Sequence, residues 1–145
     1  MLVHDLSNLE LDPIEMLNGS ISLDTPFDVE NNRLAVANST SLMVFDLMKR
    51  TTDGYVNILN KESTQPDEVY LSSSTTSAYV VMLDDGNLSA IDLNAVDVNL
   101  GLSGRSIAHV AVNDVELAIV YEDAPTTVHF ARIGAMGSIA IKEIS

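Results

Sequence analysis

The stretch "LDDGNLSAIDL" (residues 83–93) places two short apolar runs on either side of an Asp-Gly pair. Glycine accepts a positive φ without a Cβ clash, and Asp-Gly is a preferred pair in two-residue hairpin turns. The stretch therefore predicts a β-hairpin. Similar phrases, each with an apolar run, a polar turn and a second run, occur at "VANSTSLMVFDL" (36–47) and "VYEDAPTTVHFARI" (120–133).

After Ser20 the chain consists of short runs rich in Val, Ile, Leu, Tyr and Phe, bounded by turn residues. This pattern is typical of β-strands. The runs form three sets of four, and Leu34, Ala78 and Leu117 open the second strand of each set, at spacings of 44 and 39 residues. A period of about 40 residues with four strands per unit is typical of propeller blades.

Two of these repeats carry a resemblance to a known class. "YVVMLDDGNLSAIDL" (79–93) resembles a blade of the broad β-propeller class, in which a strand, an Asp-Gly turn and an L-x-A-x-D-L strand recur. "RLAVANSTSLMVFDL" (33–47) is similar, whereas the third repeat has Arg132 where Asp is expected. The class includes hydrolases, lectins and scaffolds, so the resemblance implies a fold and transfers no functional residue.

These patterns predict an all-β fold after an N-terminal arm over residues 1–24. A short helix is expected within "LDPIEMLNG" (11–19), where Asp12 can cap and Pro13 suits the first helical position. Residues 25–145 are predicted to form a single β-repeat domain of four-stranded antiparallel propeller-type blades, at about 25–62, 66–104 and 106–145. The alternative is a β-sandwich or a barrel of hairpins whose repetition is accidental.

Composition narrows the choice of partners and location. The 145 residues include 21 Asp and Glu but only 7 Lys and Arg, a net charge of −14. Phosphate backbones and anionic membranes would be repelled, so we expect neither nucleic acid nor membrane as a partner. There is no Cys, and the N-terminus carries acids where a secretory signal would carry Lys or Arg. We expect a cytoplasmic protein without a signal peptide, or one assembled from the cytoplasm into a particle.

No residue set predicts a catalytic, cofactor or metal site. His109 and His129 lie on predicted strands on which they could meet, but two His without a third ligand make a weak metal site, so each is interpreted as a packed or surface imidazole. "DDGN" (84–87) offers oxygens to Ca²⁺ but lacks the further ligands of a calcium loop, which favours a plain turn. Asp46 and Asp92, at corresponding strand ends, are predicted to cap turns.

Three blades are fewer than the roughly four to eight that close known propellers. The end blades would therefore present uncovered apolar faces, which mark interfaces. We predict a non-catalytic structural or protein-interaction module that acts through homo-oligomerisation or within a larger assembly. A virion component, such as a capsid decoration or tail protein, is one assembly that fits. The alternative is a lectin-like module that binds a ligand or glycan in a pocket lined by Tyr55, Tyr70, Tyr79 or Tyr121.

Overall fold

The structure is a computed structural model that describes residues 2–3, 14–15, 24–52, 54–73, 77–102, 104–133 and 142–144. These residues contain strands and turns and no helix. The strands are β1 (Leu2–Val3), β2 (Ile14–Glu15), β3 (Phe27–Glu30), β4 (Arg33–Ala37), β5 (Ser41–Thr51), β6 (Gly54–Glu62), β7 (Glu68–Ser73), β8 (Ala78–Asp84), β9 (Asn87–Asp92), β10 (Asp97–Val98), β11 (Ile107–Asn113), β12 (Glu116–Tyr121), β13 (Val128–Arg132) and β14 (Lys142–Ile144).

Twelve of the strands form three four-stranded sheets in chain order. The first sheet is β3-β4-β5-β6, the second β7-β8-β9-β10 and the third β11-β12-β13-β14, and every pairing is antiparallel. The predicted all-β class is confirmed. Each sheet connects only strands that are consecutive in sequence, because tight turns bring such strands together at the lowest cost in chain entropy.

The predicted N-terminal helix is wrong where the structure describes it. Ile14 and Glu15 lie in β2, which pairs with Leu2 and Val3 of β1. The remaining residues of 11–19 lie outside the described ranges. A helix of nine residues is marginal in water without tertiary support, so pairing with a neighbouring strand can displace it.

The Asp-Gly hairpin predicted in 83–93 is confirmed. Asp85 and Gly86 join β8 to β9 with φ of 46° and 75°. Two consecutive positive φ values are typical of the type I′ turn, whose twist matches that of the paired strands. Asn31 and Asn32, with φ of 46° and 60°, make the equivalent turn between β3 and β4.

The three sheets stack through their apolar faces, with the second sheet in the middle. One cluster joins the first and second sheets, and its buried members are Ala35, Ala37, Leu42, Val44, Leu59, Val69, Leu71, Val80 and Ile91. A larger cluster joins the second and third sheets through Tyr79, Val81, Leu83, Ala90, Leu100, Ile107, Val110, Val115, Leu117, Ile119, Tyr121, Ala131 and Ile133. The second sheet is therefore apolar on both faces, as the uninterrupted apolar run at 79–83 predicts.

The first strands of neighbouring sheets are fastened to each other by a carboxylate. Asp28 of β3 accepts a hydrogen bond from the Leu71 amide of β7 at 2.8 Å through Oδ2. Its Oδ1 accepts one from the amide of Val29 at 2.9 Å. Asp28 thus satisfies two backbone donors, one on each of the two edge strands.

Replacing Asp28 by Ala is expected to lower the free energy of unfolding by about 1–3 kcal/mol, because both amides lose their acceptor and Leu71 is a core residue. The matched control is Asp84→Ala, which removes an exposed carboxylate from β8 and the same net charge. Urea unfolding of both variants measures the difference. Equal free energies of unfolding in the two variants would show that Asp28 does not fasten the sheets.

Candidate interaction surface

The two faces of the third sheet differ in character. Leu117, Ile119 and Tyr121 of β12 point into the core shared with the second sheet and are at most 2% exposed. Side chains alternate along a strand, so the intervening residues Ala118 and Val120 lie on the opposite, outer face. These two are only half-buried, and no core cluster includes them.

The outer face of the third sheet is named here the third-sheet face. The strand register places on it the neighbours of β12 from β11 and β13: Ala111 and Phe130 flank Ala118, His109 flanks Val120, and Asn113 and Arg132 flank Glu116. Phe130 is 42% exposed, and Val128, two residues earlier on β13, shares the face. The centre of the third-sheet face is therefore apolar and open to solvent.

The first sheet, at the other end of the stack, is covered over the centre of its outer face and open at its edge. At the centre, Leu34, Val36, Met43 and Phe45 are at most 8% exposed. Phe27 and Val29 of β3 pair with Val36 and Leu34 and therefore share this face, where they are 59% and 54% exposed. Both ends of the stack thus present exposed apolar side chains, at an edge strand of the first sheet and on an inner strand of the third.

Charge also sets the third-sheet face apart. The whole chain carries 21 acids and 7 bases. The third-sheet face, taken over β11, β12 and β13, carries the acid Glu116, the base Arg132 and the imidazole of His109. Glu116 and Arg132 balance each other in formal charge. A surface that is apolar at its centre and balanced in charge is suited to contact another protein surface.

Behind this face, an aromatic and ionic column links the third sheet to the segment that enters it. Arg105 Nη2 donates to Asp123 Oδ1 at 2.6 Å, and the Arg105 guanidinium lies 4.1 Å from the Tyr121 ring centre. His129 meets the Tyr121 ring edge-to-face, with centroids 4.9 Å apart. The hydrogen bond from Arg105 holds the pKa of Asp123 below its usual range. This column fixes the start of β11 against the β12–β13 hairpin.

The two strand histidines do not meet. His109 pairs with Val120, and His129 pairs with Ile119, so consecutive residues of β12 separate them onto opposite faces of the third sheet. His129 is 7% exposed, and its Nε2 has no hydrogen-bond partner within the described part of the chain. His129 is thus a packed imidazole and His109 a surface one, as predicted. In the described ranges, no group of three or more His, Asp or Glu is placed to hold a metal ion.

Tyr70 links the second sheet to the third. Its hydroxyl donates to the Glu68 carboxylate, and its oxygen lies 3.3 Å from the carbonyl oxygen of Val110 in β11. Burial, together with the hydrogen bond to Glu68, raises the pKa of the Tyr70 hydroxyl above its usual range, and the charge of Asp28 adds to the effect. The folded protein therefore holds this proton more tightly than the unfolded chain does.

An alkaline titration tests this arrangement. The stability that the protonated hydroxyl supplies is present below the unfolded pKa of about 10 and is lost as pH rises above it. We expect Tyr70→Phe to cost about 1 kcal/mol at neutral pH through the lost hydrogen bonds. This deficit should shrink steadily between about pH 9 and 12. Urea unfolding across that range measures it; a deficit that stays constant would show that Tyr70 does not titrate with folding.

The turn predictions at the strand ends agree with the hydrogen bonds. Asp46 Oδ1 accepts from the Met48 amide at 2.9 Å, and Asp92 Oδ1 accepts from the Asn94 amide at 2.8 Å. Both carboxylates cap the turn two residues ahead, as predicted. In 84–87, the Asn87 side chain donates to the Asp85 carbonyl at 3.0 Å, which closes the hairpin turn.

The four tyrosines proposed for a ligand pocket do not line one cavity. Tyr79 and Tyr121 belong to the core between the second and third sheets, whereas Tyr55 packs against the outer cluster of the first sheet. A separate recess of about 270 Å³ lies beside β9 and β10, with Ser89, Asp97 and Asn99 in its lining. Its polar groups already have partners in part: Asn99 accepts from the Gly101 amide at 2.8 Å, and Asp97 lies 3.4 Å from Lys61 Nζ.

Comparison with known proteins identifies no relative of this chain. No protein family, curated protein or solved structure matches the chain. In the ranges that the structure describes, no helix is long and apolar enough to cross a membrane.

Proposed function

We propose that the chain is a non-catalytic protein-interaction module that works by packing against other protein surfaces, either as a homo-oligomer or as part of a larger assembly. The observation that carries the proposal is the third-sheet face. Its centre is apolar and open, its charge is balanced, and it lies on a chain of net charge −14. Exposed apolar patches with a polar rim mark interaction sites on soluble proteins.

We further propose that the three sheets are propeller-type blades. Each begins at the strand nearest its neighbours and continues outward as a meander. Contacts between these first strands support the proposal: Asp28 of β3 bonds to Leu71 of β7, and Tyr70 of β7 reaches Val110 of β11. The face-to-face stacking of the sheets also supports the proposal, since propeller blades bury their faces against each other.

The test is the mass of the tagged chain after chemical cross-linking in the intact cells that produce it, because cross-linking captures complexes that dissociate on dilution. The proposal expects a cross-linked species heavier than the 15.6 kDa monomer at natural concentration. A tagged Phe130→Asp variant, whose substitution lies on the third-sheet face, should shift toward the monomer. A wild-type chain that stays monomeric after cross-linking would contradict the proposal. A virion component, one such assembly, would instead be recovered with purified particles.

A ligand- or glycan-binding module is the second candidate, and the recess beside β9 and β10 favours it. Its volume of about 270 Å³ is that of a small ligand, and Asp97 and Ser89 offer polar groups at its wall. A glycan array probed with the wild-type chain and with Asp97→Ala tests this candidate. Binding that the variant loses supports it, and the absence of binding by the wild type rejects it.

A further inference from the structure

We propose that the third-sheet face binds a second copy of the chain, face to face, about a two-fold axis that runs parallel to β12 and β13 and midway between them. This inference rests on the proposed interaction function and names its partner. It follows from three properties of the face: its charge, the sizes of its side chains and its area.

Charge favours this face for contact between two copies. Each copy carries a net charge of −14, so two copies repel each other over most of their surfaces. On the third-sheet face, Glu116 and Arg132 are directly opposite each other on adjacent strands. The proposed axis places Glu116 of one copy over Arg132 of the other, and the reverse, as an isologous interface requires. At this interface, two contacts between opposite charges replace the repulsion that acts between other parts of the two copies.

The sizes of the side chains are also self-complementary. Ala118 and Phe130 are cross-strand neighbours, so the same axis places the small side chain of one copy over the large one of the other. Phe130, 42% exposed in the single chain, would enter the space above Ala118. Alternation of large and small residues across facing sheets lets them interdigitate at a separation of about 10 Å.

The area predicts a weak dimer. The strands β11, β12 and β13, about 4.8 Å apart and about six residues long at about 3.3 Å per residue, give a face of roughly 15 by 20 Å. Each copy therefore contributes about 300 Å², which places the total below the roughly 1,200 Å² of a standard interface. We expect reversible dimerisation with a dissociation constant of about 10–100 μM, so the monomer dominates at low concentration.

Sedimentation equilibrium of the purified chain from about 1 to 500 μM, at physiological ionic strength, tests the inference. We expect Phe130→Asp to raise the dissociation constant at least about 30-fold, because the aromatic anchor is lost and a charge is added. Arg132→Glu should raise it about 10-fold, since it sets two carboxylates against each other at each contact. The double variant Glu116→Arg with Arg132→Glu restores the pairing in reverse and should return within about threefold of the wild type.

The matched control is Val96→Asp, which adds the same charge at a 58% exposed apolar residue of the turn between β9 and β10 and should leave the dissociation constant unchanged. Circular dichroism confirms folding, and Arg132→Glu, at an exposed position, keeps the test decisive if Phe130→Asp unfolds. A wild type that stays monomeric at 500 μM overturns self-pairing. A dissociation constant that neither Phe130→Asp nor Arg132→Glu raises overturns the assignment of the dimer contact to this face. Neither result refutes the proposed interaction function, which cross-linking in cells decides separately because it also captures partners other than a second copy.

Discussion

Leu117→Ala is expected to lower the free energy of unfolding by about 3–4 kcal/mol. Leu117 is fully buried between the second and third sheets, among side chains that close packing prevents from collapsing into the space it leaves. The loss is a large part of the roughly 5–15 kcal/mol that stabilises a domain of this size.

Urea unfolding followed by circular dichroism measures this loss as a lower midpoint at an unchanged slope. The control is Met48→Ala, which shortens a side chain that is 74% exposed and should change the free energy by no more than about 0.5 kcal/mol. A loss below about 1 kcal/mol for Leu117→Ala would mean that the second and third sheets do not share the packed core described above.

Gly86→Ala is expected to cost about 1.5–3 kcal/mol. Gly86 has a φ of 75°, a conformation that costs an L-residue about 1–2 kcal/mol. In addition, a Cβ at this position would overlap Ser106 Oγ, so the Ser106 hydroxyl must turn to another rotamer. The Ile107 amide donates to the Gly86 carbonyl at 2.8 Å, so the turn cannot move away without breaking that bond.

A double-mutant cycle separates the two costs of Gly86→Ala. Ser106→Ala removes the overlapping hydroxyl and leaves only the Ser106 Cβ position, at 3.4 Å, an ordinary contact distance. In that background, Gly86→Ala should cost only the conformational part, about 1–2 kcal/mol. Thermal or urea unfolding of the four proteins completes the cycle. An identical cost in both backgrounds would show that the turn does not press on Ser106.

Local chemistry explains what could be predicted from the sequence. The Asp85-Gly86 turn depends on the φ preferences of two adjacent residues, and the strands depend on short apolar runs, so both are visible without tertiary information. The turn-capping roles of Asp46 and Asp92 were predictable for the same reason, since each acts two residues along the chain. The division into three four-stranded sheets follows from the repetition of these signals.

What could not be predicted depends on register and on distant contacts. A register shift between Ile107 and His109 changes which residues of β11 share a face. The pairing of His129 with Ile119 places His129 on the inner face of the third sheet. A single-residue difference in register reverses the side of a sheet on which a residue lies, so apolar runs alone cannot separate His109 from His129. The burial of Leu34 and Val36 on the first sheet is likewise a tertiary outcome.

The third-sheet face illustrates the same limit. In the sequence, the run "ELAIVY" (116–121) is apolar on both faces of its strand, which predicts a strand between two neighbours. In the structure one face of this strand is buried in the core, whereas Ala118 and Val120 on the other face are only half-buried. The sequence therefore indicates that a partner surface is needed without showing which face needs it.

The most direct measurement uses a single spin label on a chain that has no Cys of its own. Glu122→Cys places the label in the exposed turn between β12 and β13, beyond the ends of the strands that form the third-sheet face. Because the axis runs parallel to these strands, the turns of two copies lie side by side, with sheets about 10 Å apart. Dipolar electron paramagnetic resonance at a protein concentration above the expected dissociation constant should show one short distance between the labels of two copies, and this distance should disappear with Phe130→Asp. No dipolar signal at that concentration, or a distance unaffected by Phe130→Asp, would contradict pairing through the third-sheet face.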